Sequence, residues 1–518
     1  MRFILYETLN IQSFQPLRLI LFVNLYLNSK NSSCWRGKIV PIRRIQVSLR
    51  KYVCNMSELI SSSSSSQDAK MLNSCNEHVQ QAAQYLCEGK LVAFPTETVY
   101  GLGANAFDEK AVRSIFTAKG RPLTDPLIVH IPHIKAAIKL ADISDQEMSL
   151  FELLGTALWP GPLTMIVKAV DVLPLCVTAN TGYVGLRVPN HPLALRLLEA
   201  CKLPVCAPSA NRFGHVSPTK ASHVFDDLGR GRNVAAIISG EMEVGGDCMH
   251  GIESTVVKAN IATKEVQLYR QGAISQKRLE EILENADNVA KLGGIQWTVK
   301  VVSRIVHMTA SDPAPAAAPS SGSVGQEAPG QAVTHYAPDN AVCVMSKVVN
   351  LTGGHSSGNS TGTGTGTGTG NSTTGDDSEL VDWNITPSGL RSAVIIDFGG
   401  QWERLLARQT AVSLGLGVLA YRDLSASGSY REAARSLFDT LRWAETIPNV
   451  QTIILAPVLE NMRIYEAVAG DVDADASLER LQLGVSSADV DIKCALYDRQ
   501  FRATSGKMVQ LHLKSIDV

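Results

Sequence analysis

Residues 90–131 read KLVAFPTETVYGLGANAFDEKAVRSIFTAKGRPLTDPLIVHI, and this stretch decides the fold. The apolar run 91–94 reads as a buried strand. Pro95 then ends strand pairing by removing a backbone donor. Thr96, Glu97, Thr98 and Tyr100 crowd polar groups against Gly101 and Gly103, which reads as a glycine turn. A helix-period stretch follows, with Ala111, Val112, Ile115 and Phe116 on one face. It runs into Lys119-Gly120-Arg121-Pro122, and a second apolar strand, 127–131, carries His130 near its end. Two strands and a crossover helix predict a βαβ unit with hydroxyls and fixed positive charge at its mouth. Such a mouth suits a polyanion held together with a small polar molecule.

The alternation continues outward. Upstream, Val79, Ala82, Ala83 and Leu86 cover one face of a helix starting at Asn76. Downstream, strand runs at 163–167, 184–188, 205–207, 235–238 and 254–257 alternate with helical stretches at 193–201 and 277–285. This predicts an α/β domain over 76–306. Pro, Ala, Gly and Ser crowd 310–333, so 307–338 reads as a linker ending in His335-Tyr336-Ala337-Pro338. A second domain is expected over 339–518, with strands at 393–398 and 452–455 and an amphipathic helix at 433–444. Its segment 353–377 contains TGTGTGTGTG, buries no apolar area and reads as a disordered insertion. Residues 1–75 read as a leader and a serine-rich extension.

At 518 residues the chain suits two or three domains, and 45% hydrophobic residues allow a sizeable core. A net charge of −1 creates no global field toward nucleic acid or an anionic membrane, so any RNA contact is local. No run of about 18 apolar residues exists, so no membrane span is expected. The 10 cysteines form no CxxC pair and read as reduced, intracellular thiols. Residues 1–56 carry nine Lys/Arg and one acid, Glu7. That leader fits either a mitochondrial transit peptide or an unstructured upstream extension. Met56 offers a start for a cytoplasmic form.

Motifs narrow the chemistry. GLGANA at 101–106 fits GxGxxA, but Pro95 breaks the strand before it and no acidic residue follows at the right distance. No GxxxxGK[ST] occurs, so any ATP is held by side chains and turn amides. Lys119 and Arg121 read either as a helix end favoured by the macrodipole or as two cations awaiting an anion. Thr98 and His130 read, on periodicity alone, as a buried hydroxyl and a core histidine. Arg187 ends a strand, where burial without a partner is costly, so a carboxylate partner is predicted. Ser209 and Asn211 follow a strand, where either could cap a helix.

Four ordered blocks go further. Lys119 and Arg121 form a Lys-x-Arg pair; Ser209 and Asn211, in APSANRFGHVSPT, form a Ser-x-Asn pair; 253–257 reads ESTVV; Arg270 and Gly272, in LYRQGAIS, form Arg-x-Gly. In this order, over about 75–285, the chain resembles the YrdC family, the threonylcarbamoyl-AMP synthases. The resemblance implies a YrdC-like twisted open sheet with flanking helices and a concave basic cleft. It also implies a linker closing over the active site and a smaller Rossmann-like α/β domain. The implied enzyme, a nucleotidyltransferase, joins L-threonine, bicarbonate and ATP, with Mg2+, into threonylcarbamoyl-AMP and pyrophosphate. A downstream transferase then modifies the adenosine next to the tRNA anticodon.

Residue by residue, the resemblance makes Lys119 and Arg121 catalytic. It puts Arg121, Asp125, Asn211, Thr219, Arg270 and Tyr336 on ATP, and Thr98, His130, Arg187, Ser209 and Ser254 on L-threonine. His130 would act as an orienter or partial cation, and no side chain is assigned to a metal. Two departures stand out. The linker reads PGQAVTHYAP where the family pattern is close to PGMKYRHYAP, with Ala332 and Thr334 replacing basic residues. Asp125 replaces the usual Asn, and its carboxylate repels phosphates unless it holds Mg2+ or faces away. The alternative is an RNA-binding YrdC-like module without synthase activity, with tRNA in the local basic cleft. Such a module has no need of Thr98, His130, Arg187 and Ser254, so their joint presence favours the enzyme.

Overall fold

The computed structural model describes residues 68–241, 248–302, 326, 328, 336–339, 341–350, 383–384, 387–406, 417–458, 492–505 and 507–512. The leader, the serine tract, the 353–377 insertion and most of the linker, including Pro329, Gly330, Ala332, Thr334 and His335, lie outside them. Ser66–Val518 forms one compact unit.

The first sheet has strands β1 (Lys70–Leu72), β2 (Leu91–Phe94), β3 (Gly101–Asn105), β4 (Ile128–His130), β5 (Leu163–Lys168), β6 (Tyr183–Arg187), β7 (Val205–Cys206), β8 (Val234–Ile238), β9 (Thr255–Asn260), β10 (Glu265–Arg270) and β11 (Thr298–Val301). Their lateral order is β1-β8-β2-β3-β7-β4-β6-β5-β9-β10-β11. The sheet begins ahead of residue 76, because β1 pairs parallel with β8.

The expected βαβ unit is absent. Residues 101–105 are not a turn but strand β3, which pairs antiparallel with β2. Strand β3 then pairs with β7, and β7 with β4, both antiparallel. Strands β2 and β4 are therefore separated by two others and run in opposite directions. Glycine serves close approach here: a Cβ on Gly103 would stand 2.9 Å from Phe94 and 3.0 Å from Val205.

Both faces of this sheet are covered. Leu91 and Ala93 join one apolar cluster with Val112 and Ile115 of the helix Glu109–Lys119. Val92 and Phe94 join another with the helices Asn76–Cys87 and Pro192–Cys201. The period-2 side-chain alternation of β2 thus feeds two cores, which explains its unbroken apolar run.

The second sheet has β12 (Val342–Asn350), β13 (Trp383–Asn384), β14 (Ala393–Asp397), β15 (Ala420–Asp423), β16 (Thr452–Leu455) and β17 (Met508–His512), in the order β13-β17-β12-β16-β14-β15. Every pairing in it is parallel. The helix Tyr430–Glu445, capped by Ser429, buries Ala433, Leu437, Phe438 and Leu441. This is the expected Rossmann-like α/β domain. Among the described residues no helix is long and apolar enough to cross a membrane.

Candidate active site

A cleft is lined by Thr96 and Thr98 of the β2–β3 turn, by Ile128 and His130 of β4 and by Arg187 of β6. Thr96 builds that turn: its Oγ1 donates to Val99 O at 2.7 Å and accepts from the amides of Thr98 and Val99. Thr98 is thereby held for Arg187, whose Nη2 donates to Thr98 Oγ1 at 2.9 Å. The same Nη2 meets Glu97 Oε1 at 2.7 Å, and both side chains are buried. The carboxylate partner expected for Arg187 is therefore Glu97, a residue assigned no role from the sequence.

His130 lies opposite Arg187 in the β4–β6 register, edge-on to Phe94 at 6.2 Å. Burial, reinforced by Arg187, pushes its imidazole down to about 3. The expected partial cation is therefore a neutral hydrogen-bonding group at pH 7. Its Nδ1 has no hydrogen-bond partner among the described residues.

Lys119 is the last residue of its helix, and Gly120, at φ 68°, turns the chain back. The ammonium is buried and donates to Ser209 O at 2.7 Å and to Asn211 O. Burial first, and Arg121 second, push it well below its ordinary value. Arg121 lines the cleft, pairs with Asp125 Oδ1 at 2.9 Å and donates to Pro126 O. Asp125 is thus the partner of Arg121 and does not line the cleft.

On the far wall, Ser254 Oγ meets Thr164 Oγ1 at 2.8 Å. Arg270 donates to Ser254 O and Oγ, both at 3.1 Å. Gly272 permits this approach: a Cβ there would stand 2.4 Å from Glu253 O and from Thr255 N. Glu253 also lines the cleft; burial works to raise its carboxyl, but Arg499 and Arg270 outweigh burial and hold it below its usual value.

Tyr336 lines the cleft, at φ 68°, with its ring 5.2 Å from that of Phe438. Burial, then Glu253, pushes its phenol up to about 12. The cleft encloses about 560 Å³ of space, its open mouth included.

Of the sequence-predicted residues, Thr98, Arg121, His130, Arg187, Ser209, Ser254, Arg270 and Tyr336 line this one cleft. Lys119, Asp125, Asn211 and Thr219 are buried and are not among the residues lining it. Sequence reasoning missed Glu97 and Glu253, although both sit inside the quoted blocks. It missed Arg499 entirely, which meets Glu253 across 246 positions of chain.

Comparison with known proteins identifies the family. The family model described as Telomere recombination (Sua5, YciO, YrdC) matches residues 84–272. The model described as Threonylcarbamoyl-AMP synthase, C-terminal domain, matches residues 274–470. A threonylcarbamoyl-AMP synthase of Pyrococcus abyssi is 38% identical over 52% of this chain and 67% of its own length. One of Bacillus subtilis is 44% identical over 41% of this chain and 58% of its own, and one of Schizosaccharomyces pombe is 40% identical over 37% and 49%. The matched part of the chain thus spans from about half to two thirds of these relatives. A crystal structure of P. abyssi Sua5 complexed with L-threonine matches with a TM-score of 0.55 at 25% identity, over 85% of this chain and 99% of that one. Two family models that together match 84–272 and 274–470, and a relative matched over two thirds of its length, lead to one assignment: the chain belongs to the threonylcarbamoyl-AMP synthase family.

Proposed function

We propose that this protein makes threonylcarbamoyl-AMP and pyrophosphate from L-threonine, bicarbonate and ATP. One observation carries the reading. Lys119 and Arg270 are buried cations whose hydrogen bonds go to carbonyl and hydroxyl oxygens, with no carboxylate in ion-pair contact among the described residues. Buried charge is costly unless matched, so the site calls for an anion. The relatives named for this activity support the same reading.

Phosphates sit among Lys119, Arg121 and Arg270, with Asn211, Thr219 and Tyr336 toward the nucleoside. L-Threonine sits on Thr98, Arg187, Ser209 and Ser254, with neutral His130 donating or accepting a hydrogen bond. The neutral threonine amine attacks the bicarbonate carbon; the C–OH bond breaks, and the hydroxyl leaves as water with the proton the amine gives up. The resulting N-carboxylate oxygen attacks the α-phosphorus, and the bond to pyrophosphate breaks. No side-chain nucleophile is required. Positioning and fixed charge at the developing negative oxygens lower the barrier.

Mg2+ enters as part of the ATP substrate. Glu97, Asp125 and Glu253 are already engaged by arginines. No cluster of three or more His, Cys, Asp or Glu suited to a metal ion exists among the described residues. Phosphate oxygens are thus its ligands in this reading. A downstream transferase carries the product to tRNA, and the same reading puts the reaction in the cytoplasm.

The test is pyrophosphate release by the full chain with ATP, Mg2+ and bicarbonate, with and without L-threonine. Release that depends on L-threonine and is weak with serine is the expected outcome. Turnover indifferent to threonine, or RNA binding without turnover, would sink the proposal.

A further inference from the structure

Arg499 belongs to the second domain, on the helix Lys493–Ala503, yet none of it is exposed. Its Nε meets Glu253 Oε2 at 2.8 Å. Its Nη2 donates to Gln271 O at 2.8 Å, and its Nη1 meets Asp498 at 2.6 Å. The guanidinium carbon lies 5.5 Å from the centre of the Tyr336 ring. One side chain therefore grips both chain segments of the far wall and the linker tyrosine. Glu253 precedes Ser254, and Gln271 follows Arg270, so the grip lies one residue from two groups that line the cleft. On its other oxygen Glu253 accepts Ser217 Oγ at 2.7 Å, which leaves it little freedom once Arg499 is in place.

We infer that Arg499 is a positioning residue through which the second domain sets the Glu253–Ser254 wall for L-threonine. Arginine suits this task because its planar fork donates in several fixed directions at once. Lysine can keep the charge beside Glu253 but cannot also reach Gln271 O and the Tyr336 face. A purely cohesive contact between domains would affect stability and leave substrate preference untouched. The inference rests on the proposed synthase reading.

Steady-state pyrophosphate release by the full chain separates the two. If the natural chain shows no threonine dependence, the synthase reading fails and takes this inference with it. With that dependence present, Arg499→Met and Glu253→Gln are expected to raise the KM for L-threonine about tenfold or more, because small misplacements at a site cost that much. The KM for ATP should rise less than that for L-threonine, because Arg499 touches the ATP side only through Gln271 O and the Tyr336 ring, and the double variant should be no worse than the worse single one. Arg499→Lys should recover part of the loss. A threonine KM within about twofold of the natural value in both single variants overturns the inference. So does a joint rise of both KM values in step with a lowered Tm. If Arg499→Met does not fold, Arg499→Lys and Glu253→Gln decide by the same criterion.

Discussion

The cleft and the seam between the two domains are both lined with buried charge, but they are wired differently. In the seam, Asp227 takes Arg442 Nη2 at 2.8 Å and His215 Nδ1 at 2.9 Å. Glu445 takes the same imidazole from the other side, at 3.2 Å. At the seam's more exposed margin, Asp439 meets Lys220 at 2.6 Å and His223 at 3.3 Å. Each of these carboxylates has a cation from the opposite domain. In the cleft, cations outnumber carboxylates. His130 Nδ1 and Arg187 Nε, which line it, are also buried without hydrogen-bond partners among the described residues. An unmatched buried polar group costs about 1–3 kcal/mol, which a ligand can recover. The seam pairs each carboxylate named here, although Arg442 Nε is buried without a hydrogen-bond partner among the described residues, whereas the cleft is completed by an anion and a polar guest.

Asp227→Asn gives the largest test of the seam. It leaves Arg442 and His215 facing a neutral amide in a buried place, so stability should fall by about 3–5 kcal/mol. Chemical denaturation measures this, and a loss under about 1 kcal/mol would mean the seam is solvent-screened rather than closed. The matching test of the cleft is Lys119→Ala. Removing one preorganised charge there should cut turnover about 10²-fold or more. No carboxylate is left behind, so the Tm should hold or rise. Near-normal turnover would end the role given to Lys119.

Gly272→Ala acts on the boundary between the two regions. The added methyl would overlap Glu253 O and Thr255 N, both backbone atoms that cannot rotate away. A loss of about 2–3 kcal/mol in stability is expected, as in other overpacked sites. Activity should fall with it, because the displaced segment carries Ser254. An unfolding midpoint equal to that of the natural chain would show that the wall is soft.

These contrasts also explain what could be read from the sequence. Local periodicity placed β2, β4, β5 and β8 and the helix Glu109–Lys119 well, because each hides an apolar face of its own. Strand β3 was lost because its glycines imitate a turn, and only the packing of Phe94 and Val205 explains them. Cleft residues were legible where they sat in short ordered blocks. Glu97 was hidden because its importance lies in its partner, Arg187, 90 residues away in the sequence. Arg499 was invisible for the same reason on a larger scale: YDRQFRA looks like any charged helix until it is docked. Charge state was equally hidden, since His130 is neutral through burial and through Arg187, which no spacing reveals.

The smallest expected effect concerns pH, and it singles out the seam. Burial lowers the basicity of His215, but its bonds to Asp227 and Glu445 outweigh burial, and Arg442 only partly opposes them. Its pKa is therefore raised above the ordinary value near 6.5. A raised folded value means that the protonated imidazole stabilises the folded chain. That contribution is fully present below the unfolded value and is lost as pH climbs through the folded one. Asp227, held well below the usual carboxylate range, keeps its charge throughout this window. Melting temperatures of the natural chain should thus fall, as pH climbs above the ordinary histidine value of about 6.5, more steeply than those of His215→Gln, which has no proton to lose there. Lys119 and His130 should not mimic this, because burial holds both below their ordinary values, and their titration belongs to the cleft. Parallel curves for the two proteins would mean that His215 is not the proton-bearing link between the domains, and that Arg442 alone closes the seam on Asp227.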